Sequence, residues 1–403
     1  MVPVPPSPAT HCDVIVVGAG LAGAVAAIGF ARAGFSVVSC GEIERLGQGR
    51  TVALLRRSTD FLAELGIGSA IENAGEPMRA LRIIDDTGSL FATRPVEFLA
   101  SEIKLDAFGW NIENSRLADI LAEPLETHPN ICRIEARVER FDFAPELANL
   151  TTEDGRIISA RLVVGADGRA SPTRKAAGIG VRTHRYGQGA LTTLLAHGRP
   201  HGGFSTEFHT RQGPFTLVPL PELATTRFRS SLVWVMSEAE AQRRAALDDA
   251  ILAQEIEDQA CGLLGKVRVE GARGVFPMLR QSVARLVATR LALVGDAAHA
   301  FPPIGAQGLN LGLRDVQSLL RAAQAARLEG GDVGAQATLS RYAAARGADI
   351  GVRTAAVDAL NTSLLADLMP IDALRALGLT AVNKFGPLRR LVMHEGVAPM
   401  LAR

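Results

Sequence analysis

The sequence predicts an α/β protein: a Rossmann-like domain, an antiparallel sheet inserted into it, and helices at the C-terminal end. Three observations predict this class. An apolar, β-branched run at residues 13–17 leads directly into glycines and then into a helical pattern at 21–33, which is how a βαβ unit begins. Short β-rich runs separated by turn residues recur through residues 185–275. From residue 295 onward the pattern is mostly helical.

The other predicted elements follow the same patterns. A second short strand at residues 36–40 continues the βαβ unit. A helix is expected at 116–126 unless Pro124 interrupts it. Further strands are expected at 157–165 and 291–294 in the first domain, and at 215–220 and 230–236 in the inserted sheet.

These elements divide the chain into three parts. They follow a proline-rich tail at residues 1–10, which is expected to be disordered. The predicted ranges are 11–79, 101–184 and 276–330 for the Rossmann-like domain, 80–100 and 185–275 for the inserted sheet, and 331–403 for a helical region.

Composition excludes several classes of function. With 403 residues and 47% hydrophobic content, the chain can bury a sizeable core. The formal net charge of +1 predicts neither nucleic acid nor an acidic surface as a partner. No uncharged apolar run reaches about 18 residues, so no transmembrane helix is expected. The N-terminal tail lacks the features of a signal peptide, so we expect a cytoplasmic protein. Peripheral contact with the inner membrane stays open.

The four cysteines predict no metal centre. Cys12, Cys40, Cys132 and Cys261 have neither CxxC spacing nor a nearby histidine cluster. Each has apolar neighbours in the sequence, which favours small buried side chains over reactive or metal-binding ones. No metal ligand is therefore assigned.

The first motif lies at residues 18–23, which read GAGLAG between the first predicted strand and helix. In this position Gly18 permits a tight turn, Gly20 lets the backbone approach a pyrophosphate, and Gly23 allows close packing of helix on strand. The helix N-terminus would face the phosphate charge. The motif predicts a dinucleotide site, but it does not by itself separate FAD from NAD.

The acid that usually follows this motif is missing. About 20 residues after the glycines, a carboxylate normally bonds the ribose hydroxyls. Gly41 occupies the expected place and Glu42 follows it. A shift of one residue along a strand reverses the side-chain direction. Two interpretations stay open: Glu42 reaches the ribose because the chain leaves the strand at Gly41, or Glu42 is exposed in a loop.

The second motif, at residues 165–169, reads GADGR and ends a predicted strand. It would place the carboxylate of Asp167 and free backbone amides at the carboxyl edge of the sheet, where doubly wound folds bind ligands. Ser171 and Arg174 follow it. Alone, this motif would be an ordinary Asp-Gly turn; beside the other two it predicts part of the cofactor site.

The third motif is the longest and most specific. Residues 291–315 read LALVGDAAHAFPPIGAQGLNLGLRD. A buried strand would deliver Asp296 to a position where it can bond a cofactor hydroxyl. The glycine-rich turn at 305–308 then begins a helix whose N-terminal amides can stabilise negative charge on a reduced ring. His299 is interpreted as a packed residue rather than a catalytic base.

Together the motifs resemble those of the group A flavoprotein hydroxylases, which share the fold of p-hydroxybenzoate hydroxylase. The resemblance covers nearly the whole chain. It implies that the first motif holds the FAD pyrophosphate, that the second (DG) motif serves flavin and pyridine nucleotide, and that the third (GD) motif contacts the ribityl chain and flavin ring. The FAD-binding residues implied by these motifs are Gly18, Gly20, Leu21, Ala22, Gly23, Asp167, Asp296, Gly305, Gln307, Gly308 and Asn310.

Finer features resemble one branch of that group, the ubiquinone-biosynthesis hydroxylases. Residues 49–54 (GRTVAL) resemble the arginine segment beside the flavin, which implies that Arg50 binds FAD. Residues 108–114 (FGWNIEN) resemble the strand before a flavin-contacting helix, which implies the same for Asn114. Gly41 departs from the family's usual acid, so the ribose contact of Glu42 stays open.

The resemblance implies an FAD-dependent monooxygenase that hydroxylates the ring of a prenylated phenol in ubiquinone biosynthesis, through a flavin C4a-hydroperoxide formed with O2. Because there is one dinucleotide fingerprint, NAD(P)H or another electron donor would bind transiently. The protein would position the phenol and exclude water, and no side chain is assigned as a catalytic acid or base. A membrane surface or a biosynthetic complex stays open as a partner.

Three alternatives stay open. The same fold could hydroxylate a soluble phenolic acid, which a buried arginine matched to a carboxylate would favour. It could also be a non-catalytic FAD-binding partner in a biosynthetic assembly, or a reductase of isoprenoid double bonds. For a prenylated phenol, the expected apolar lining is Phe215, Leu217 and Leu220. Arg389 and Arg390, in an apolar C-terminal segment, could meet lipid headgroups.

Overall fold

The computed structural model describes residues 10–41, 49–88, 94–302, 306–365 and 386–397. The expected N-terminal tail lies outside this range except for Thr10, which begins the first strand. Glu42 and Gly305 also lie outside the described residues, as do parts of the expected C-terminal helical region.

A largely parallel sheet forms the first half of the fold. Its described strands are β1 (Thr10–Val17), β2 (Val37–Cys40), β8 (Ile131–Ile134), β9 (Val138–Phe143), β10 (Ala148–Thr152), β11 (Ile157–Gly165), β17 (Val287–Ala288) and β18 (Leu291–Leu293). Strands β18, β11, β1, β2 and β8 run parallel in that order. Val17 pairs with Gly165 on one side and with Cys40 on the other, so three strands end together at one edge.

Both faces of the parallel sheet are buried, as its apolar strands require. Val14 and Val16 point into one core and Ile15 and Val17 into another, following the alternation of a strand. Helices α1 (Leu21–Arg32), α2 (Arg56–Glu64), α3 (Gly68–Ala74), α4 (Asn114–Thr127) and α8 (Gln307–Leu328) contribute to the first of these cores. Helix α4 continues through the buried Pro124, so this proline does not break it.

A second sheet carries the inserted region. Its strands are β5 (Ala80–Asp85), β6 (Val96–Leu99), β12 (Val181–His197), β13 (Phe204–Thr210), β14 (Gly213–Leu220), β15 (Arg229–Ser237), β16 (Val267–Val283) and β19 (His299–Ala300). The order is β19-β16-β12-β15-β14-β13-β5-β6. Every pair is antiparallel except β13 with β5, which are parallel. Helices α6 (Glu238–Ala245) and α7 (Asp249–Gln259) cover one face of this sheet.

Two of the four boundaries expected between the two domains fall inside single strands. The boundary at residue 184 lies within β12, and the one at 275 lies within β16. The outer parts of these long strands pair with each other at Val181 and Val283, beyond the reach of β15. The second sheet is therefore larger than the inserted segment predicted from the sequence.

A small third sheet joins the two halves. It contains β3 (Thr51–Leu55), β4 (Glu76–Pro77) and β7 (Gly109–Glu113) in the order β3-β7-β4. Thr51 donates a hydrogen bond of 2.9 Å to Ser231 on β15, and Asn111 donates one of 2.9 Å to the Pro219 carbonyl on β14. These bonds place the segment after Arg50 against the face of the second sheet that α6 and α7 leave uncovered.

The described C-terminal residues form α9 (Gln336–Leu365) and α10 (Gly386–Val397). On α10, Arg389 pairs with Glu102 at 2.6 Å and lies over the Phe98 ring, and Met393 is buried. Arg389 and Met393 thus make contacts within the fold, whereas Arg390 is exposed. None of the described helices is both long and apolar enough to cross a membrane.

The cysteines differ from expectation in two of four cases. Cys40 is buried and Cys12 is half-buried, but Cys132 and Cys261 are exposed. Cys132 lies on β8, at an edge of the parallel sheet, and Cys261 takes a left-handed conformation just after α7. Apolar neighbours in the sequence do not reveal such edge positions. Among the described residues, no group of three or more His, Cys, Asp and Glu could hold a metal ion.

Candidate active site

The three sequence motifs meet at the edge where β1, β2 and β11 end. A Cβ at Gly18 would lie 2.3 Å from the carbonyl oxygen of Ala166, so the first and second motifs touch through their backbones. The Gly18 amide donates to the Cys40 carbonyl at 2.8 Å, and the Ala166 amide donates to Val17 at 2.8 Å. The turn after β1 is therefore fixed by both neighbouring strands.

The glycines of the first motif have different surroundings. A Cβ at Gly23 would lie 2.0 Å from the Gly18 carbonyl oxygen, which only glycine avoids. Gly20 has nothing within 4 Å of its Cβ position. Helix α1 has no side-chain cap and no acid in its first turn, so its amides are available to an anion. This open turn fits a pyrophosphate group.

Gly41 explains the missing acid in structural terms. Its φ of +145° lies in the region that favours glycine, and a Cβ there would be 3.0 Å from the Ala19 amide. An acid at position 41 would therefore strain the turn against the first motif. The question of whether Glu42 reaches the ribose lies outside the described residues.

The second motif forms a tight loop capped by its own acid. Asp167 accepts a hydrogen bond from the Ser171 hydroxyl and one of 2.8 Å from the Thr173 amide, at the start of α5 (Pro172–Ala176). The buried Arg174 donates to the Ala297 carbonyl at 2.8 Å and to the Arg169 carbonyl at 2.7 Å. Arg174 therefore ties the second motif to the third, and Asp167 shapes the loop between them.

Asp296 is the accessible carboxylate of the site. It lies in the GD loop, residues 295–299, which follows β18 closely. Gly295, the first residue of this loop, has a φ of +58°. Its side chain is exposed to solvent, but the protein around it is dense enough that desolvation raises the pKa of Asp296. Arg169, Arg50 and His299 face it and partly offset that rise. An accessible carboxylate set deep among basic groups is suited to bond a cofactor hydroxyl.

Arg50 and Asn114 lie side by side at the seam between the halves. Arg50 is exposed and its guanidinium lies 4.7 Å from the centre of the Phe276 ring on β16. The backbone amide of Asn114 donates a hydrogen bond of 2.9 Å to the backbone carbonyl of Arg50. The side-chain oxygen of Asn114 is buried and has no hydrogen-bond partner among the described residues. Both residues are therefore near the site, and the buried acceptor of Asn114 is consistent with a donor supplied by a cofactor.

The N-terminus of α8 is shaped by Asn310. Its side chain accepts from the Leu55 amide at 2.9 Å and donates to the carbonyls of Ala53 at 2.7 Å and Ala306 at 2.6 Å. Asn310 thus joins β3 to the first turn of α8. That turn has no side-chain cap and no acid, and Gly308 has nothing within 4 Å of its Cβ position. Uncapped amides of this kind stabilise developing negative charge.

His299 is a packed residue, as its sequence context predicts. It is 2% exposed, and its Nε2 lies 2.6 Å from a carboxylate oxygen of Asp315. Asp315 also pairs with Arg346 of α9. From the sequence, only Asp315 could have been connected with this site, because it ends the third motif. Arg346 could not, because it lies 31 positions further along the chain.

Two of the three residues expected to line the substrate site lie on the face of the second sheet that the helices cover. Phe215 and Leu217 pack with Trp234 beneath α6 and α7, because residues two apart on a strand share a face. The opposite face, towards the third sheet, carries both apolar and polar side chains. Its apolar residues form two clusters, one with Ala190, Val233, Val235 and Met278 and the other with Val218.

The fold and the site define an FAD-dependent monooxygenase of the aromatic-hydroxylase type. Its pyrophosphate turn, DG loop and GD loop converge beside an apolar sheet face, and FAD is the cofactor that this arrangement holds. The chain belongs to the FAD binding domain family, whose model matches residues 11–351.

Two curated relatives match almost the full chain. The ubiquinone hydroxylase UbiL of Rhodospirillum rubrum is 35% identical over 395 residues, covering 96% of this chain and 90% of that protein. The 3-demethoxyubiquinol 3-hydroxylase of Escherichia coli strain K12 is 32% identical over 387 residues, covering 94% of this chain and 96% of that protein. The chain is similar to both along its whole length.

Solved structures share the fold. The p-nitrophenol 4-monooxygenase PnpA of Pseudomonas putida DLL-E4 superposes with a TM-score of 0.79 at 20% identity, covering 96% of this chain and 98% of that one. Klebsiella pneumoniae HpxO, solved with FAD and uric acid, gives a TM-score of 0.75 at 19% identity, covering 98% and 97%. At these identities the likeness concerns the fold alone.

Proposed function

We propose that this enzyme hydroxylates the aromatic ring of a prenylated phenol in ubiquinone biosynthesis, using bound FAD, O2 and an external reductant. The names of the two curated relatives support a substrate from that pathway. A neutral, apolar substrate is also supported by the charges and surfaces of the described residues.

The carrying observation is that each arginine buried among the described residues has an ion-pair or hydrogen-bond partner within the protein. Arg229, for example, is 3% exposed and bridges Glu113 at 3.0 Å and Glu270 at 2.8 Å. Among the described residues, the other buried arginines have partners as well: Arg174, Arg290, Arg314 and Arg346. A soluble phenolic acid would need an uncommitted buried cation for its carboxylate, so this observation disfavours it.

The face of the second sheet that is turned towards the third sheet supports an apolar ligand. Val233 is only partly buried there, beside the fully buried Ala190 and Val235. Tyr186 packs against the same cluster. The apolar side chains of this face would hold an apolar ring and help to exclude water from the reaction, although Thr192 and Thr216, which flank Val233 on the neighbouring strands, place hydroxyls among them.

Bound FAD would supply the activation of O2, and the chain's own residues would position and stabilise the components. The turn at Gly20 would hold the pyrophosphate, and Asp296 would accept a hydrogen bond from the ribityl chain. The uncapped amides at Gln307 and Gly308 would stabilise negative charge on the reduced ring. We assign no side chain as a dedicated acid or base.

A prenyl tail makes the proposal testable. Each methylene removed from water contributes about 0.8 kcal/mol, or about fourfold in affinity. Phenols with one, two and three isoprene units should therefore bind the oxidised holoenzyme at least tenfold more tightly per added unit, until the tail extends beyond the protein. Titration monitored by the flavin absorbance measures this series.

Val233→Thr is the matching variant, because it adds a hydroxyl to the apolar face with little change in volume. It should weaken binding of the prenylated phenols several-fold. Val181→Thr makes the same change on an exposed strand end and should leave binding unchanged. Affinity independent of tail length, together with turnover of an unprenylated phenolic acid, would replace this proposal with the soluble-substrate alternative. Tight FAD binding without any hydroxylation would favour the non-catalytic alternative.

A further inference from the structure

A single buried carboxylate holds both ends of the GD loop. One oxygen of Asp315 accepts a hydrogen bond from the Gly295 amide at 2.9 Å and lies 2.6 Å from Nε2 of His299. Gly295 precedes Asp296 directly, and His299 ends the loop three residues after it. Because both ends bond the same atom, the position of Asp296 depends on where Asp315 is held.

Helix α9 holds Asp315 from the other side. Nε of Arg346 donates to the second oxygen of Asp315 at 2.7 Å, and both side chains are buried. Arg346 also pairs with Asp349 at 2.5 Å. Burial alone would raise the pKa of Asp315, but His299 and Arg346 outweigh it and the pKa is lowered. Asp315 is thus a charged acceptor whose place is fixed by the guanidinium.

A second contact from α9 reaches the strand before the loop. The Tyr342 hydroxyl, one helical turn before Arg346, donates to the Leu293 carbonyl at 2.6 Å. Gly295 itself sits closely against Ala22 of α1 and Gly312 of α8. The GD loop therefore has little room to adjust if one of these supports is lost, and a loop ordered before binding loses less entropy when it binds.

We propose that Asp315 and Arg346 are positioning residues for FAD. Arg346 fixes Asp315, Asp315 fixes the two ends of the GD loop, and the loop presents Asp296 to the ribityl chain. Neither residue contacts the reacting atoms. Their loss should therefore appear first in the affinity of the apo-protein for FAD.

Asp315→Asn tests the first step. The amide would bring its own donors towards the His299 ring and Arg346, so one end of the loop should be released. The Kd for FAD, measured by quenching of flavin fluorescence on folded apo-protein, should rise at least about tenfold. The imidazole nitrogen NMR shifts of His299 should also change, since Nε2 of this ring lies 2.6 Å from Asp315.

Asp332→Asn is the matched control. It breaks the Arg290–Asp332 ion pair, another pair of a buried arginine with an aspartate in the same half of the fold but off the GD loop. It should lower the melting temperature while changing the FAD Kd less than about threefold. Equal increases in Kd for both variants, or no increase for Asp315→Asn, would overturn the proposal.

Arg346→Gln tests the second step. It should raise the FAD Kd in the wild-type background and have little further effect in the Asp315→Asn background, because the two residues act in series. Arg346→Lys, which keeps the charge but not the planar guanidinium, should fall between wild type and Arg346→Gln and keeps the test available if Asp315→Asn does not fold. Additive effects of the two changes, or an unchanged Kd in both Arg346 variants, contradict the proposed order.

Discussion

Gly20 and Gly23 belong to one motif, yet the protein itself requires only one of them. Gly20 has a φ of −72°, which alanine adopts, and open space at its Cβ. Gly20→Ala should leave the unfolding free energy of the apo-protein unchanged or slightly higher, while FAD binds at least tenfold more weakly. Gly23→Ala, whose Cβ would meet the Gly18 carbonyl, should destabilise the fold by about 1–3 kcal/mol. Urea unfolding and FAD titration separate the two effects, and equal behaviour of both variants would contradict this assignment.

Asp296 should show a conflict between stability and binding. Its pKa is raised above the ordinary value of 3.8, so its ionised form is disfavoured in the folded state. The stability of the apo-protein should therefore fall as the pH rises from 3.8 to the raised pKa, and then remain level. Asp296→Asn should be more stable than wild type above that window, equal to it below, and weaker in binding FAD.

Asp154 provides the opposite case for comparison. Its pKa is lowered, first by the hydrogen bond from Thr152, so its ionised form stabilises the fold above the unfolded pKa. Asp154→Asn should therefore be less stable than wild type at neutral pH and equally stable at acidic pH. Denaturation midpoints over a pH series decide both cases, and a gain for Asp154→Asn at neutral pH would reject the signs argued here.

The local structure of a motif was predictable where the motif stands in one segment. The strand, turn and helix around Gly18, Gly20 and Gly23 could be predicted from spacing alone, because they are contiguous. Asp315 could not, because its partner Arg346 comes from another helix. The positive φ of Gly41 could not be predicted from the sequence either, although it gives a physical reason for the absence of an acid there.

At the scale of elements, Arg229 joins the two halves of the molecule. It connects β15 to Glu113 at the end of β7 and to Glu270 on β16. Arg229→Met would remove the cation that pairs with Glu113, would leave Glu270 paired with Arg268 at 3.1 Å, and should cost about 3–5 kcal/mol of unfolding free energy. Adding Glu113→Gln and Glu270→Gln should recover most of that loss, since no uncompensated charge remains. Urea denaturation of the single and triple variants measures this, and a triple variant no better than the single one would argue against the charge bridge.

Strand positions were largely predictable, but their orientation and length were not. Residues 215–220 and 230–236 are strands as expected, and β11 has the expected bounds. Alternation shows that Phe215 and Leu217 share a face, but it does not say which face the helices cover. Helices α6 and α7 cover the face that carries Phe215 and Leu217. The substrate face that we propose is therefore the opposite one.

In the molecule as a whole, segments that are far apart in the sequence lie together in space. Three motifs separated by more than a hundred residues meet because parallel strands end at one edge. The second sheet could be expected from its β-rich runs, but β12 and β16 extend past the predicted boundaries. Strand β16 brings the second sheet to the GD loop, where Ser282 pairs with His299.

The most direct measurement is a single turnover with isotopically labelled O2. The holoenzyme is reduced in the absence of air, mixed with a short-chain prenylated phenol, and then exposed to the labelled gas, which removes the need to know the natural reductant. We expect a hydroxylated ring carrying one labelled oxygen atom, with little hydrogen peroxide, and a higher share of peroxide when the phenol is omitted. Reoxidation that yields only peroxide with every prenylated phenol, or labelled product from a phenolic acid alone, would contradict the proposed function.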